Sequence, residues 1–190
     1  MGHDCTAARL AAVSDLSGPV ERVVEAAARR GLDLQVITFD ESTHTAADAA
    51  RALGADVAQI VKSLVFVSES ATGVRPCMVL ASGVNRVDVE LLATQLSEAH
   101  MRRATADEVR QLTGFVIGGV PPFGHLRPIR TVMDPDLQRY ATVWAAAGTA
   151  NAVFAIAPDR LRALADAVVA PIATDQEVQH GQPSAGAQTT

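Results

Sequence analysis

Lysine is almost absent from this chain: of 16 basic residues only Lys62 is lysine, and the rest are arginine. Cysteine is nearly as scarce. Cys5 and Cys77 are too few and too far apart for a disulfide framework or a zinc knuckle. Aromatic residues make up 4% of the sequence, so the core has to be aliphatic. No apolar run approaches the roughly 18 residues of a membrane span, which excludes a transmembrane helix. The first residues carry Asp4 and Asp15 and no continuous hydrophobic stretch, so no signal peptide is read and the cytoplasm is the expected compartment. A Gly-Lys-Ser/Thr loop, a dinucleotide fingerprint, a Gly-x-Ser-x-Gly elbow and a His-Glu-x-x-His motif are all missing. His3, His44, His100, His125 and His180 show no metal-ligand spacing. Neither a metal nor a cofactor is therefore expected.

What is present is an ordinary globular composition. At 190 residues, 48% hydrophobic and 19% charged, the chain fits one domain with a substantial core. The net charge is −5. Asp175 and Glu177 belong to a polar tail and Asp4, Asp15 and Arg9 to the N-terminal stretch, which leaves residues 18–170 close to neutral. Broad, non-specific binding of nucleic acid, DNA included, is not expected from such a balance. Local clusters remain at Arg102-Arg103, Arg127/Arg130 and Arg160/Arg162.

Residues 1–16 lack periodicity and read as a flexible extension, residues 17–170 as the domain, and residues 171–190 as a disordered tail. Within the domain, Ser17 and Pro19 suit the start of a helix whose apolar face is Val20, Val23, Val24 and Ala27. Leu34–Phe39 alternates as a strand. Thr45 with Asp48 predicts a capped helix to Leu53, closed by Gly54. Strands are predicted over Ile60–Val67 and around Pro76–Ala81, a helix over Asp88–Leu96, and a capping box at Thr105/Glu108 opens another to Leu112. A short strand at Phe115–Ile117 precedes the Gly/Pro-rich segment Gly118–Pro128. Apolar runs near Ile129–Met133 and Thr142–Ala147 follow, then a turn, the strand Ala152–Ile156 and a helix from Pro158 through Ala167. This is one mixed α/β domain without repeats.

Three segments could carry chemistry. Lys62 lies inside the apolar run Ile60–Val67, where a charge is seldom tolerated unless it is paired. It is either a functional ammonium or a lysine snorkelling from a strand edge. In Gly118-Gly119-Val120-Pro121-Pro122-Phe123-Gly124-His125 the glycines permit close approach of backbone to a ligand and the prolines fix the loop. Its N–H groups could face a developing oxyanion, or the segment is a plain tight turn. Ala147-Gly148-Thr149-Ala150-Asn151 reads as a hairpin turn that could floor a pocket.

In order along the chain, His44–Gly54, Ile60–Phe66, Thr113–Gly124 and Gly148-Thr149 together resemble the YbaK/ProX family. These are the stand-alone relatives of the editing domain of bacterial prolyl-tRNA synthetase, and the similarity spans about residues 19–168. The resemblance implies a partly opened mixed β-barrel flanked by helices. It also implies hydrolysis, in trans, of the ester joining a wrong amino acid to tRNA, without a metal or cofactor. The aminoacylated acceptor end would be the partner, with prolyl-tRNA synthetase as a second one. In the family, the position of Lys62 supplies the main functional side chain, and that of Gly118–Pro122 supplies backbone contacts to the ester. Carried over, the reacting groups are Lys62, Gly118 and Gly119. The pocket would draw on Phe39, His44 and Ser63, on Pro122 and Phe123, and on Ala146, Gly148, Thr149 and Asn151.

Members that remove cysteine often carry Tyr at the position of Phe39 and Ser at that of Ala146, and Pro121 replaces a common Ser. A more apolar pocket follows, which favours alanine or 2-aminobutyrate over cysteine. The nucleophile stays open among water, the vicinal ribose hydroxyl and the substrate's own side chain. A catalytically weak module that binds aminoacyl-tRNA or a synthetase is the main alternative, and a Schiff-base lysine enzyme a more remote one.

Overall fold

The computed structural model describes residues 8–10, 18–40, 45–70 and 73–173. Two sheets form the frame. One is four-stranded and antiparallel, in the order β1 (Ala8–Leu10), β2 (Val36–Phe39), β8 (Ala152–Ile156), β7 (Val143–Ala146). The other is five-stranded, in the order β5 (Arg102–Arg103), β3 (Val61–Ser70), β4 (Gly73–Ser82), β6 (Arg130–Met133), β9 (Ala167–Val169). In it β3 pairs antiparallel with β4 and β5, while β4–β6 and β6–β9 are parallel. The barrel is not closed. A single parallel bridge, Ile60 to Trp144, joins the sheets before they part.

Local chemistry sets the helices. In α2 (Ala46–Leu53) the Thr45 hydroxyl accepts from the Asp48 N–H at 3.1 Å while the Asp48 carboxylate accepts from the Thr45 N–H at 3.2 Å. Thr105 and Glu108 repeat the device at α4 (Ala106–Thr113), and the Asp88 carboxylate caps α3 (Val89–Leu96). α1 (Pro19–Ala28) starts at Gly18 without a side-chain cap. Ser17, the expected cap, lies outside the described residues. α5 (Pro158–Ala165) stops two residues short of its expected end, because Ala167 turns into β9 and pairs with Thr131.

The main core lies between the sheets and under α1, α4 and α5, with Phe154, Met78 and Leu80 fully buried. A second cluster packs α3 on the far face of β3 and β4 through Phe66, Val79 and Leu92. A third, small one holds α2 by Ala49, Ala50 and Ile60 against Trp144.

Phe115–Ile117 is not a strand. Phe115 is buried in a loop that closes α4, where its N–H donates to the Thr113 hydroxyl at 3.0 Å and Arg22 stacks 4.3 Å above its ring. The apolar pattern there records an anchor, while Val116 and Ile117 face outward. Ala8–Leu10, read as part of an irregular extension, instead adds an edge strand to β2. Among the described residues no helix is long and apolar enough to cross a membrane.

Candidate functional site

The two sheets part beyond the Ile60–Trp144 bridge, and a cavity of about 330 Å³ opens at the seam. The alternation of an antiparallel ladder decides which backbone groups face it. The Ala147 N–H donates to Ala152 O at 2.8 Å, so Val143, Ala145 and Ala147 turn toward β8, and Trp144 and Ala146 turn outward. The Ala104 N–H donates to Val65 O at 2.9 Å, so the odd residues of β3 turn their main-chain groups toward β5. β5 reaches only as far as Val67 and Phe66, with Ala104 extending the contact to Val65. Ser63 and Ala146 therefore present main-chain donors and acceptors to the gap. The Ser63 side chain adds a buried hydroxyl with no hydrogen-bond partner among the described residues. An orphaned hydroxyl costs on the order of 1–3 kcal/mol, which a bound polar ligand can relieve.

Lys62 also lines this cavity. Its Nζ donates to Gly83 O at 3.0 Å and to Asn85 O. That turn is itself held from below: Asp134, buried, accepts from the Ser82 N–H at 3.0 Å and from Asn85 Nδ2 at 2.8 Å. The ammonium is thus fixed by two of its three donors, and one N–H is left over. Burial lowers the Lys62 pKa below the ordinary lysine value; Asp134 opposes this, and Arg86 and Arg103 reinforce it.

The two glycine motifs meet in space. A Cβ on Gly119 would lie 2.6 Å from Thr149 Cα, so the loop rests directly on the backbone of the Gly148–Ala150 turn. A Cβ on Gly148 would lie 2.6 Å from Pro19 O, which seats that turn on the start of α1. Gly118, at φ 96°, lines the cavity together with Val120 and Thr149. The Gly119 N–H is already committed to Val116 O at 3.1 Å. Among the described residues the Gly118 and Val120 N–H groups make no hydrogen bond, so both donors are available to a ligand. Gly119 serves as a spacer.

Five of the residues singled out in the sequence thus converge on the cavity: Lys62, Ser63, Gly118, Ala146 and Thr149. Of the others, those among the described residues do not line it. Phe123 is buried against Phe154, its ring centroid 5.7 Å away, and with Pro122 it borders a second cavity on the opposite side of the loop. The chain bends at Pro122 and Phe123, and Gly124 just beyond packs against Arg22–Ala26 of α1. Phe39 is buried, and its N–H donates to Asn151 O at 2.8 Å. Asn151 returns the bond to Phe39 O at 3.3 Å and accepts from the Thr149 hydroxyl at 2.8 Å, so it pins the turn to β2 and does not reach the cavity. Gly148 supports the floor from beneath. His44 lies outside the described residues.

Sequence reasoning passed over Trp144, the chain's sole tryptophan, and the inner face of α2 (Ala46, Ala49, Leu53), which form the apolar wall. It noted Arg103 only as half of a basic pair. Among the described residues no three His, Cys, Asp or Glu side chains converge as a metal site would require.

Residues 40–164 match the aminoacyl-tRNA editing domain model. A solved structure provisionally described as a trans-editing enzyme for prolyl tRNA synthetase superposes with a TM-score of 0.77 at 46% identity, covering 84% of this chain and 99% of that one. YwhH of Bacillus subtilis, a protein without an assigned function, is 32% identical over 126 residues, 66% of this chain and 78% of its own length. EbsC of Enterococcus faecalis, provisionally named a Cys-tRNA(Pro)/Cys-tRNA(Cys) deacylase, is 25% identical over 138 residues, 73% of this chain and 82% of its own length.

Proposed function

The chain belongs to the aminoacyl-tRNA editing domain family, and on that premise we propose that it hydrolyses, in trans, the ester between tRNA(Pro) and a small wrong amino acid, alanine or 2-aminobutyrate before cysteine. The observation that supports this reading is the seam cavity, whose lining includes Lys62, the Gly118 and Val120 backbone and a small apolar chamber. An aminoacyl ester is already activated. The enzyme has to hold its carbonyl, stabilise the oxyanion of the tetrahedral intermediate and admit a nucleophile. The Gly118 and Val120 N–H groups stabilise the oxyanion. Lys62, held by Gly83 and Asn85, adds a fixed positive charge with one free N–H. A cavity of about 330 Å³ is at the small end for ligand sites, which suits an aminoacyl group with part of its ribose.

Ala46, Ala49, Ala146 and Trp144 shape the side-chain chamber and offer no hydroxyl or charge. Since neither Phe39 nor Pro121 lines the cavity, Ala146 is the departure that bears on cysteine. Selectivity between homologues is modest, because one methylene in an apolar pocket discriminates by only about 1–3 kcal/mol. Ala146→Val is expected to lower kcat/KM for 2-aminobutyryl-tRNA at least tenfold more than for alanyl-tRNA, about one methylene's worth. Parallel single-turnover assays on the two substrates check this, and equal losses would remove Ala146 from the chamber wall.

The reaction needs no metal in this reading, since the charge of the oxyanion is met by a side-chain ammonium and backbone amides. Deacylation is expected to survive exhaustive chelation once the tRNA has been folded with magnesium and exchanged into monovalent salt. Activity lost on chelation and regained with zinc would overturn that assignment.

A further inference from the structure

β5 carries two arginines with opposite fates. Arg102 is fully engaged: its guanidinium donates to Glu69 at 2.9 Å and to Glu108 at 2.8 and 2.9 Å. Arg103, its neighbour, points to the other face of the strand, as alternation requires. Its guanidinium is exposed, lines the mouth of the seam cavity and has no hydrogen bond or ion pair among the described residues.

The register places Arg103 opposite Phe66 of β3, on the face that also carries Leu64 and Lys62. Arg103, half-buried Leu64 and Lys62 therefore form a stripe beside the unpaired stretch of β3, about 13 Å long at 3.3 Å per residue. Arg86 stands near the Lys62 end, exposed and likewise without an ion pair among the described residues. The nearby carboxylates are already used. Glu108 is neutralised by Arg102, and Asp134 lies buried beneath the Ser82–Asn85 turn, where it accepts two hydrogen bonds. A chain of net charge −5 thus concentrates uncompensated positive charge at the mouth of its cavity.

We propose that Arg103 is a phosphate-binding residue that grips the phosphodiester on the 5′ side of the terminal nucleoside while the ester lies in the cavity. This rests on the deacylase reading above. The nearest phosphate of an aminoacylated RNA end is one ribose from the ester, and of the two unpaired arginines here Arg103 lines the cavity whereas Arg86 does not. A guanidinium suits the role because its planar fork meets two phosphate oxygens at once. Lys62 has a different part, as two of its three donors are committed to the Gly83 and Asn85 carbonyls.

The test compares two substrates carrying the same aminoacyl group: aminoacyl-tRNA, and 3′-O-aminoacyl-adenosine, which has no phosphate. Wild type, Arg103→Ala and Arg103→Lys are assayed on both, with thermal melting as the fold control. Arg103→Ala is expected to lose about ten- to a hundredfold in kcat/KM on aminoacyl-tRNA, mostly through KM, as one charged hydrogen-bonded contact implies. It is expected to stay within about twofold of wild type on the adenosine ester, because no phosphate is there to lose. The salt dependence of kcat/KM on tRNA should flatten by about 0.7 in log–log slope, one single-strand phosphate contact. Arg103→Lys should recover most of the loss. Equal losses on both substrates would overturn the proposal and make Arg103 part of the cavity wall; so would an undiminished rate on tRNA. If wild type cleaves neither substrate, the deacylase reading fails and the proposal with it.

Discussion

Lys62→Ala is expected to lower single-turnover deacylation about 10²–10³-fold, the loss typical of one positioned electrostatic donor. The size follows from how the ammonium is held. Two carbonyls fix it, and Asp134 fixes the turn that bears them, so the charge reorganises little as the oxyanion forms. Truncation also leaves the Gly83 and Asn85 carbonyls, both at least partly accessible, without their donor. The melting temperature should therefore fall, by an amount equivalent to about 1–3 kcal/mol if water replaces the ammonium poorly. Lys62→Arg keeps the charge but is expected to recover little activity, because a longer planar fork does not sit on two carbonyls arranged around a compact ammonium. Rates measured beside melting curves separate the two losses. A near-wild-type rate for Lys62→Arg would mean that bulk charge suffices and the carbonyl cradle is incidental.

Gly119→Ala is expected to be nearly as damaging, for a different reason. The added methyl would meet Thr149 at 2.6 to 2.8 Å, and all three contacts are backbone atoms, so a side-chain rotation cannot relieve them. Either the 118–120 loop or the 148–150 turn has to move. Overpacking of this kind costs about 1–3 kcal/mol of stability. Activity should fall further, about 10²-fold, because a shift near 1 Å carries the Gly118 and Val120 N–H groups off the ester. Gly118→Ala makes the comparison: there the nearest atom to a new Cβ is Ala150 Cβ at 3.5 Å, so space is adequate and the cost comes from φ 96°. Melting curves and single-turnover rates on both variants check this. A Gly119→Ala protein with wild-type rate and stability would contradict the stacked-loop description.

The parts of this molecule that declared themselves in the sequence are those whose chemistry is local. Thr45/Asp48 and Thr105/Glu108 form capping boxes within four residues, and α2 and α4 begin where those pairs stand. β3 and β4 each run ten residues in full register, so their patterns could hardly be missed. What stayed hidden depends on distant partners. β5 is two residues long and is a strand only because Phe66 and Val67 accept it. Phe115–Ile117 has a strand's composition but pairs with no strand among the described residues; Phe115 alone serves Arg22 and the core, and Val116 and Ile117 stay exposed.

The site divides in the same way. Lys62 drew attention as an isolated charge in an apolar run, and the glycine pairs as backbone freed for close approach. Periodicity could not show that Gly119 and Thr149 touch, that Pro122 and Phe123 turn away behind the loop, or that Asn151 spends its side chain on Phe39. The division of labour between Arg102 and Arg103 is equally invisible in one dimension. It depends on Glu69 from β3 and Glu108 from α4 reaching the first arginine and leaving the second without an ion pair among the described residues.

The central claim, that the seam cavity is an editing site organised around Lys62, is tested most directly by one panel. Purified wild type and Lys62→Ala are incubated with tRNA(Pro) charged with alanine, 2-aminobutyrate, serine, cysteine or proline, and release of the amino acid is timed under single turnover. The account predicts rapid release of alanine and 2-aminobutyrate by wild type, slower release of cysteine and serine, retention of proline, and near-background rates throughout for Lys62→Ala. Release no faster than in buffer for every substrate, or equal rates for wild type and Lys62→Ala, would contradict it.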